Sequence, residues 1–111
     1  MIDDTLQAIA APNRREILRL LADQPLPASD IAAHFDISRP AVSQHLKVLL
    51  QADLVTVTKH GTSRIYGIRR EGLAELRDYL DSFWDKHLLL LKSAAEAEEA
   101  RLSNKSNGDL Q

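Results

Sequence analysis

The chain has 111 residues, of which 44% are hydrophobic and 27% charged, and this composition is typical of one globular domain rather than a disordered segment. It contains no cysteine, which excludes disulfides, thiolate metal sites and a thiol nucleophile. The formal net charge of −2 argues against a protein that coats nucleic acid with its whole surface. The start is acidic, without a signal-peptide core, and the leucine run Leu88–Leu91 is too short to span a bilayer. We therefore expect a cytoplasmic protein with no membrane partner.

Positive charge is concentrated in the middle of the chain. Between Ser38 and Arg70 there are six Lys or Arg residues and one acid, Asp53, whereas the rest of the chain carries a net charge of −7. Some clustering occurs by chance in any mixed sequence. A basic segment on an acidic body is nevertheless the pattern expected of a phosphate-binding surface whose non-specific affinity is kept low.

Helical spacing of apolar residues dominates the first fifty residues. It predicts a short helix around Leu6 and a second helix that begins near Pro12 and ends near Asp23. Ser29 and Ser38 are candidate N-caps of a third and a fourth helix. The fourth helix, residues 38–51, has an apolar stripe at i, i+4, i+7 and i+8, formed by Val42, Leu46, Leu49 and Leu50.

After Leu54 the apolar period changes from helical to alternating. Residues 54–69 predict a β-hairpin with a turn at 60–62, and helical spacing returns from Glu71 to near Glu99. We expect residues 1–102 to form one domain and residues 103–111 a disordered tail. The predicted fold is mainly α with a small β-hairpin, in the order α-α-α-α-β-β-α, which is a winged helix-turn-helix.

Several stretches of this sequence resemble the ArsR/SmtB-type bacterial repressors. They are APNRREIL at 11–18, SDIA at 29–32, ISRPAVSQHLKVL at 37–49, ADLV at 52–55 and GTSRIYGI at 61–68. The resemblance covers about residues 5–91. It implies a homodimeric transcriptional repressor that binds an inverted repeat in double-stranded DNA.

The exposed face of the fourth helix is polar and suits the major groove, while the hairpin would lie along the DNA backbone. Arg39 can pair with guanine and Gln44 with adenine, whereas Lys47 suits a phosphate. For His45, a structural role or a phosphate contact is favoured over metal binding. The predicted DNA-binding residues, indicated by this face and by the resemblance, are Ser38, Arg39, Pro40, Ser43, Gln44, His45, Lys47, Lys59 and Arg64.

The last helix carries an apolar stripe from Leu73 to Leu91 that is too long for so small a domain to cover, so we expect a homodimer. The predicted dimer-interface residues are Leu6, Leu80, Phe83, Trp84, His87, Leu88 and Leu91.

Some family members bind a metal on this helix, and Asp85-Lys86-His87 is similar to half of such a site. The second histidine would lie eleven residues after His87, where this chain has Glu98, and Arg101 follows. The residues 81–88 instead resemble the cysteine-free, metal-independent branch of the family, so we expect no metal and no other cofactor.

Two alternatives to a metal-independent repressor remain open. One is a sensor of this family with a non-cysteine metal or small-molecule site on the last helix. The other is a winged-helix protein-interaction module, which would have apolar or acidic residues where this chain has Arg39, Ser43, Gln44 and Lys47. An enzyme is not expected, because the chain lacks a G-x-S-x-G elbow, a glycine-rich phosphate loop and a paired metal motif.

Overall fold

A computed structural model of the protein describes the backbone of residues 2–109 and the side chains of residues 2–83 and 90–103. Its elements are α1 (Ile2–Ile9), α2 (Pro12–Asp23), β1 (Leu26–Pro27), α3 (Ala28–Ala33), α4 (Arg39–Gln51), β2 (Val55–His60), β3 (Ser63–Ile68) and α5 (Arg70–Asp109). The chain divides into two compact units, residues 1–77 and 78–111. Within the described ranges, none of the helices has an apolar stretch that could cross a membrane.

The core of the first unit is built from one apolar face of each element. In α4 the residues Val42, Leu46 and Leu49 are almost fully buried and recur at i, i+4 and i+7, as predicted. Ile17 of α2 and Ile31 of α3 are also fully buried in this core. Because α4 buries this face, its polar face is left on the surface.

The two predicted serine caps have different outcomes. The Ser38 Oγ accepts a hydrogen bond from the Ala41 N–H at 3.2 Å, so Ser38 caps α4 as predicted. The prediction for Ser29 is wrong, because α3 begins at Ala28 with Pro27 in the N-cap position and no side-chain cap. The cause is β1, whose pairing holds Pro27 in an extended conformation immediately before the helix.

The sheet has three antiparallel strands in the order β1-β3-β2. The predicted hairpin is present, with His60 paired to Ser63 across a two-residue loop. Gly61 has a φ of +62°, and glycine is preferred at the first position of a type II′ loop. Strand β1 is not predicted by the sequence pattern; it pairs Leu26 with Tyr66 at the edge of the sheet, where proline is tolerated.

Helix α4 ends in a left-handed residue that turns the chain into β2. Asp53 has a φ of +58°, its N–H donates to the Leu50 carbonyl at 3.1 Å, and the Leu54 N–H donates to the Leu49 carbonyl at 3.0 Å. These two bonds define a Schellman motif, which satisfies carbonyls that the end of the helix would leave unpaired. Gly72 of α5 lies against this turn, and a Cβ at Gly72 would collide with the Asp53 carbonyl oxygen.

The second unit consists of the part of α5 after Arg77. The rings of Tyr79 and Phe83 pack edge to face with their centroids 5.0 Å apart. Helix α5 extends to Asp109, beyond the predicted end near Glu99 and into the range 103–111 that is predicted to be a tail. Side chains 90–103 are exposed, and exposed helices of this kind are marginal in water. Disorder of 103–111 in solution stays a prediction.

Candidate nucleic-acid interface

The amino-terminal half of α4 presents a continuous polar surface. The exposed residues that form this surface are Ser38, Arg39, Pro40, Ser43, Gln44 and Lys47. They lie opposite the buried stripe of α4, because the helical period separates the two faces. The surface offers guanidinium, amide, hydroxyl and ammonium groups, which together can pair with base edges and phosphates.

The hairpin places two cations side by side. Lys59 of β2 and Arg64 of β3 are direct cross-strand partners next to the loop, and both are exposed. Like charges in such a position destabilise a hairpin, and residues 55–68 contain no acid that could offset them. An anion such as a phosphate would therefore be favoured at this position.

Ser29 is a candidate that the sequence analysis assigned to the wrong role. It lines a cleft of about 310 Å³ between the start of α3 and the hairpin loop, together with Thr62, Ser63 and Arg64. It also lines a cleft of about 180 Å³ between α3 and α4, beside Arg39 and Ser43. Ser29 therefore joins the surface of α4 to the hairpin. The sequence signal for β1, which places Ser29 here, is the apolar residue Leu26 between two prolines. This signal is too weak to predict a strand.

His45 differs from the other predicted DNA-binding residues because its side chain is half-buried. Its Nδ1 lies 3.4 Å from the Arg14 Nη1. Burial, and to a smaller extent the positive charge of Arg14, lower the pKa of His45. The imidazole is therefore neutral at neutral pH and adds no positive charge to the surface of α4.

Arg14 is a residue for which the sequence pattern predicts no functional role. Its Nε donates to the Ala8 carbonyl and its Nη2 to the Gln7 carbonyl at 3.1 Å, in the last turn of α1. The neighbouring Arg15 donates from its Nη1 to the Ile9 carbonyl at 2.8 Å. Through the Ala8 and Ile9 carbonyls, the two arginines thus satisfy acceptors that the end of α1 would leave unpaired.

The predicted dimer-interface residues are only partly within the described side chains. Leu6 is half-buried, and Leu80, Phe83 and Leu91 are exposed over 41%, 53% and 66% of their surface. The side chains of Trp84, His87 and Leu88 lie outside the described residues. An apolar surface of this kind in the second unit is typical of a protein–protein contact.

Glu98 stands where a family metal site on α5 would need its second histidine. Its carboxylate oxygens accept hydrogen bonds from the Arg101 Nη2 at 2.6 Å and the Arg101 Nε at 3.1 Å. In the described part of the chain no group of three His, Asp or Glu side chains could hold a metal ion. Asp85 and His87 are not among the side chains that the structure describes.

Comparison with known proteins decides the family. Residues 11–57 match the model of the family described as bacterial regulatory protein, arsR family. Over 86 residues the chain is 48% identical to the HTH-type transcriptional regulator Rv2034 of Mycobacterium tuberculosis. The aligned region covers 78% of this chain and 80% of Rv2034. The chain belongs to the arsR family of bacterial regulatory proteins.

Further relatives agree with this assignment. The arsR-family chain is 34% identical to the transcriptional repressor SdpR of Bacillus subtilis, over 77% of this chain and 94% of SdpR. The solution structure of the homodimeric winged helix-turn-helix DNA-binding domain of Mb0332 from Mycobacterium bovis superposes with a TM-score of 0.62 at 29% identity, covering 78% of this chain and 81% of that domain. The predicted winged helix-turn-helix fold is confirmed. This arsR-family protein is a transcriptional regulator, as its relatives are, and not an enzyme.

Proposed function

We propose that this arsR-family regulator is a homodimeric repressor that binds an inverted-repeat operator in the cytoplasm and needs no metal effector. Helix 38–51 enters the major groove, and the wing 54–69 follows the phosphate backbone. The observation that carries the proposal is the exposed polar face of α4, which the two clefts lined by Ser29 connect to the wing with its paired cations Lys59 and Arg64.

The roles within this surface follow from side-chain chemistry. Arg39 donates two hydrogen bonds to guanine, and Gln44 reads adenine through its amide. Ser43 donates to a base edge or a phosphate, and Lys47 pairs with a phosphate. The hydroxyl and guanidinium groups that line the cleft between α3 and the wing, on Ser29, Thr62, Ser63 and Arg64, bind one phosphate of the DNA backbone. Lys59, the cross-strand partner of Arg64, contacts the next phosphate.

Ser38 and Pro40 support the start of the recognition helix. Ser38 caps α4 through its side chain, and Pro40 lies in the first turn, where its fixed φ favours the helix. Their exposure at the start of α4 also lets them contact the backbone of the DNA.

The homodimer is supported by two observations. The Mb0332 domain, with the same fold, is homodimeric. The exposed side chains of Leu80, Phe83 and Leu91 provide apolar area that a second copy of α5 would cover. A two-fold axis would place two copies of α4 in successive major grooves, about 34 Å apart.

Metal independence is supported by the absence of cysteine and by the Glu98–Arg101 pair. A guanidinium at this position opposes the binding of a cation and occupies both oxygens of the carboxylate. The protein-interaction alternative is disfavoured by the cationic and amide groups on the exposed face of α4, which an apolar or acidic docking face would not need.

The test is a fluorescence-anisotropy titration in the presence of a chelator. The probe is a duplex from the region upstream of the regulator's own gene, and a scrambled duplex of equal length is the control. We expect tight, selective binding that weakens steeply with salt, since Lys and Arg release counterions from DNA. Operator binding that appears only after a divalent metal is added would contradict metal independence. Equal, weak binding of the upstream and scrambled duplexes would leave two alternatives, an operator elsewhere or the protein-interaction module.

A further inference from the structure

Arg14 is the side chain that connects α1 with the recognition helix. Its Nε and Nη2 hold the Ala8 and Gln7 carbonyls at the end of α1, while its Nη1 lies 3.4 Å from the His45 Nδ1 on α4. Arginine has only donors, so Nδ1 must accept and the proton of the neutral ring must be on Nε2. The contact is long for a hydrogen bond, so it serves to orient the ring more than to stabilise the fold.

We propose that Arg14 positions the recognition helix, and that His45 is a positioning residue through which Arg14 acts rather than a contact to DNA. This inference rests on the proposed function, because it concerns how α4 is presented to the operator. It changes the assignment of one predicted DNA-binding residue, His45, and adds one residue that no DNA would touch, Arg14.

The burial of His45 supports this assignment. His45 lies at the edge of the buried stripe of α4, between Val42 and Leu46 in the sequence, and its side chain is half-buried. Its neighbour Gln44 is exposed and would reach the bases. A change in the position of the imidazole therefore changes the rotation of α4 and, with it, the direction of the Gln44 amide.

The packing around Arg14 supports a connecting role. A cleft of about 480 Å³ lies between α1 and the last turns of α4, lined by Gln7 and Ala8 on one side and by Val48 and Ala52 on the other. Arg14 forms part of its wall. Because the cleft interrupts apolar packing here, the two helices are linked at this point through the guanidinium.

Arg15 provides a matched control. It caps the same end of α1 through the Ile9 carbonyl, but it is exposed, and no hydrogen bond joins it to α4 in the described part of the chain. Replacement of either arginine by glutamine removes one positive charge and the side-chain hydrogen bonds to the end of α1, of which Arg14 makes two and Arg15 makes one. Only Arg14→Gln removes the contact with His45.

The first experiment measures operator affinity across a salt series for both glutamine variants. We expect Arg14→Gln to weaken operator binding by about three- to thirty-fold with an unchanged salt slope, which is the range for residues that act at a distance. Arg15→Gln should change affinity by less than about two-fold. Equal losses in the two variants would reduce Arg14 to a cap of α1 and overturn the proposal.

The second experiment is a double-mutant cycle between Arg14→Gln and His45→Leu. If His45 acts through Arg14, the double variant should bind the operator no worse than either single variant. His45→Gln, which keeps an acceptor, should restore most of the affinity lost in His45→Leu. Additive losses would overturn the proposal, because they would show that the two residues act independently. A smaller salt slope in His45→Leu would also overturn it, because it would show that the ring is protonated on DNA and pairs with a phosphate.

A third measurement does not depend on DNA. An NMR titration of the His45 ring should give a pKa below the ordinary value in the native chain, and one closer to that value in Arg14→Gln. Arg15→Gln should leave it unchanged. An unchanged His45 pKa in Arg14→Gln would overturn the contact itself. If the His45 pKa shifts in Arg14→Gln as expected but the native chain binds DNA without selectivity, only the proposed function is contradicted.

Discussion

Gln44 and Lys47 are neighbours on the exposed face of α4, but their truncation should have different consequences. Gln44→Ala removes a base contact, so it should relax the preference at one position of each half-site at a cost of about 1–3 kcal/mol. Lys47→Ala removes a phosphate contact, so it should weaken all sequences alike and reduce the salt slope by about 1. The measurement is anisotropy with operators that differ at single base pairs, repeated over a salt series.

The two variants act as controls for each other. A loss in Gln44→Ala that is equal for every duplex would show that the amide does not read a base. A salt slope that is the same in Lys47→Ala and in the native protein would remove Lys47 from the phosphate contacts.

Asp53 occupies a backbone conformation that favours glycine. Its φ of +58° is the left-handed region, which costs a residue with a Cβ about 1–2 kcal/mol. Asp tolerates this region better than Ala or Val, so the free energy of unfolding should decrease in the order Gly, Asp, Ala, Val at position 53. Urea unfolding checks this order. An Asp53→Ala variant more stable than Asp53→Gly would show that α4 does not end in this conformation in solution.

At the residue scale the sequence predicts what depends on local geometry. Ser38 lies three residues before the Ala41 N–H that it accepts from, and this distance along the chain is enough to predict a cap. The contact between Arg14 and His45 spans 31 positions and no local pattern indicates it. The apolar period predicts which face of α4 is exposed, because a buried stripe determines the opposite face, whereas the choice of DNA-binding residues also depends on the resemblance.

Strand β1 shows the same limit for an element. It has two residues between Pro25 and Ala28, and its pairing with Ile65 and Tyr66 joins distant parts of the chain. Proline usually indicates a loop, so the local sequence favoured the wrong interpretation. Missing β1 also meant missing a candidate functional residue, because β1 brings Ser29 next to the wing.

The start of α4 and the start of α3 should respond differently to the same substitution. Ser38→Ala removes the side-chain cap of α4 and should lower the free energy of unfolding by about 1 kcal/mol. Ser29→Ala should change it by less than about 0.5 kcal/mol, because the exposed Ser29 caps no helix. Thermal and urea unfolding of the two variants give the comparison, and an equal loss in both would restore Ser29 as a cap.

The start of α5 is placed by a close contact rather than by an apolar side chain. Gly72 is buried against the Asp53 carbonyl, with the Leu54 side chain next nearest. Gly72→Ala should therefore lower the free energy of unfolding by about 1–3 kcal/mol, although alanine is the better helix former. Urea unfolding measures this loss.

Gly61→Asn is the control for Gly72→Ala. Position 61 is also glycine, but it has open space around it, and asparagine tolerates its positive φ. We expect only a small loss of stability there. A Gly72→Ala variant more stable than the native protein would mean that α5 does not approach the turn at Asp53 so closely.

At the scale of the whole molecule, charge and apolar surface occupy different parts of the chain. The net positive charge lies between Ser38 and Arg70, and most of the exposed large apolar residues described, among them Leu80, Phe83 and Leu91, lie in the second unit. The sequence could predict this division, because it depends on composition along the chain. It could not predict which pairs of residues meet across a two-fold axis, because those contacts join two chains and leave no spacing pattern within one.

The dimer can be tested at Phe83, whose side chain is 53% exposed in the single chain. Phe83→Glu would place two like charges, one from each copy, in an apolar interface. The dissociation constant of the dimer should therefore rise about thirty-fold or more. Sedimentation velocity at micromolar concentration measures this change. Asp81→Ala, at an exposed position two residues earlier, should remain dimeric. Because two recognition helices bind two half-sites, Phe83→Glu should also bind the full operator no more tightly than one half-site. A Phe83→Glu chain that stays dimeric and keeps full operator affinity would exclude Phe83 from the interface and require another surface to join the two copies.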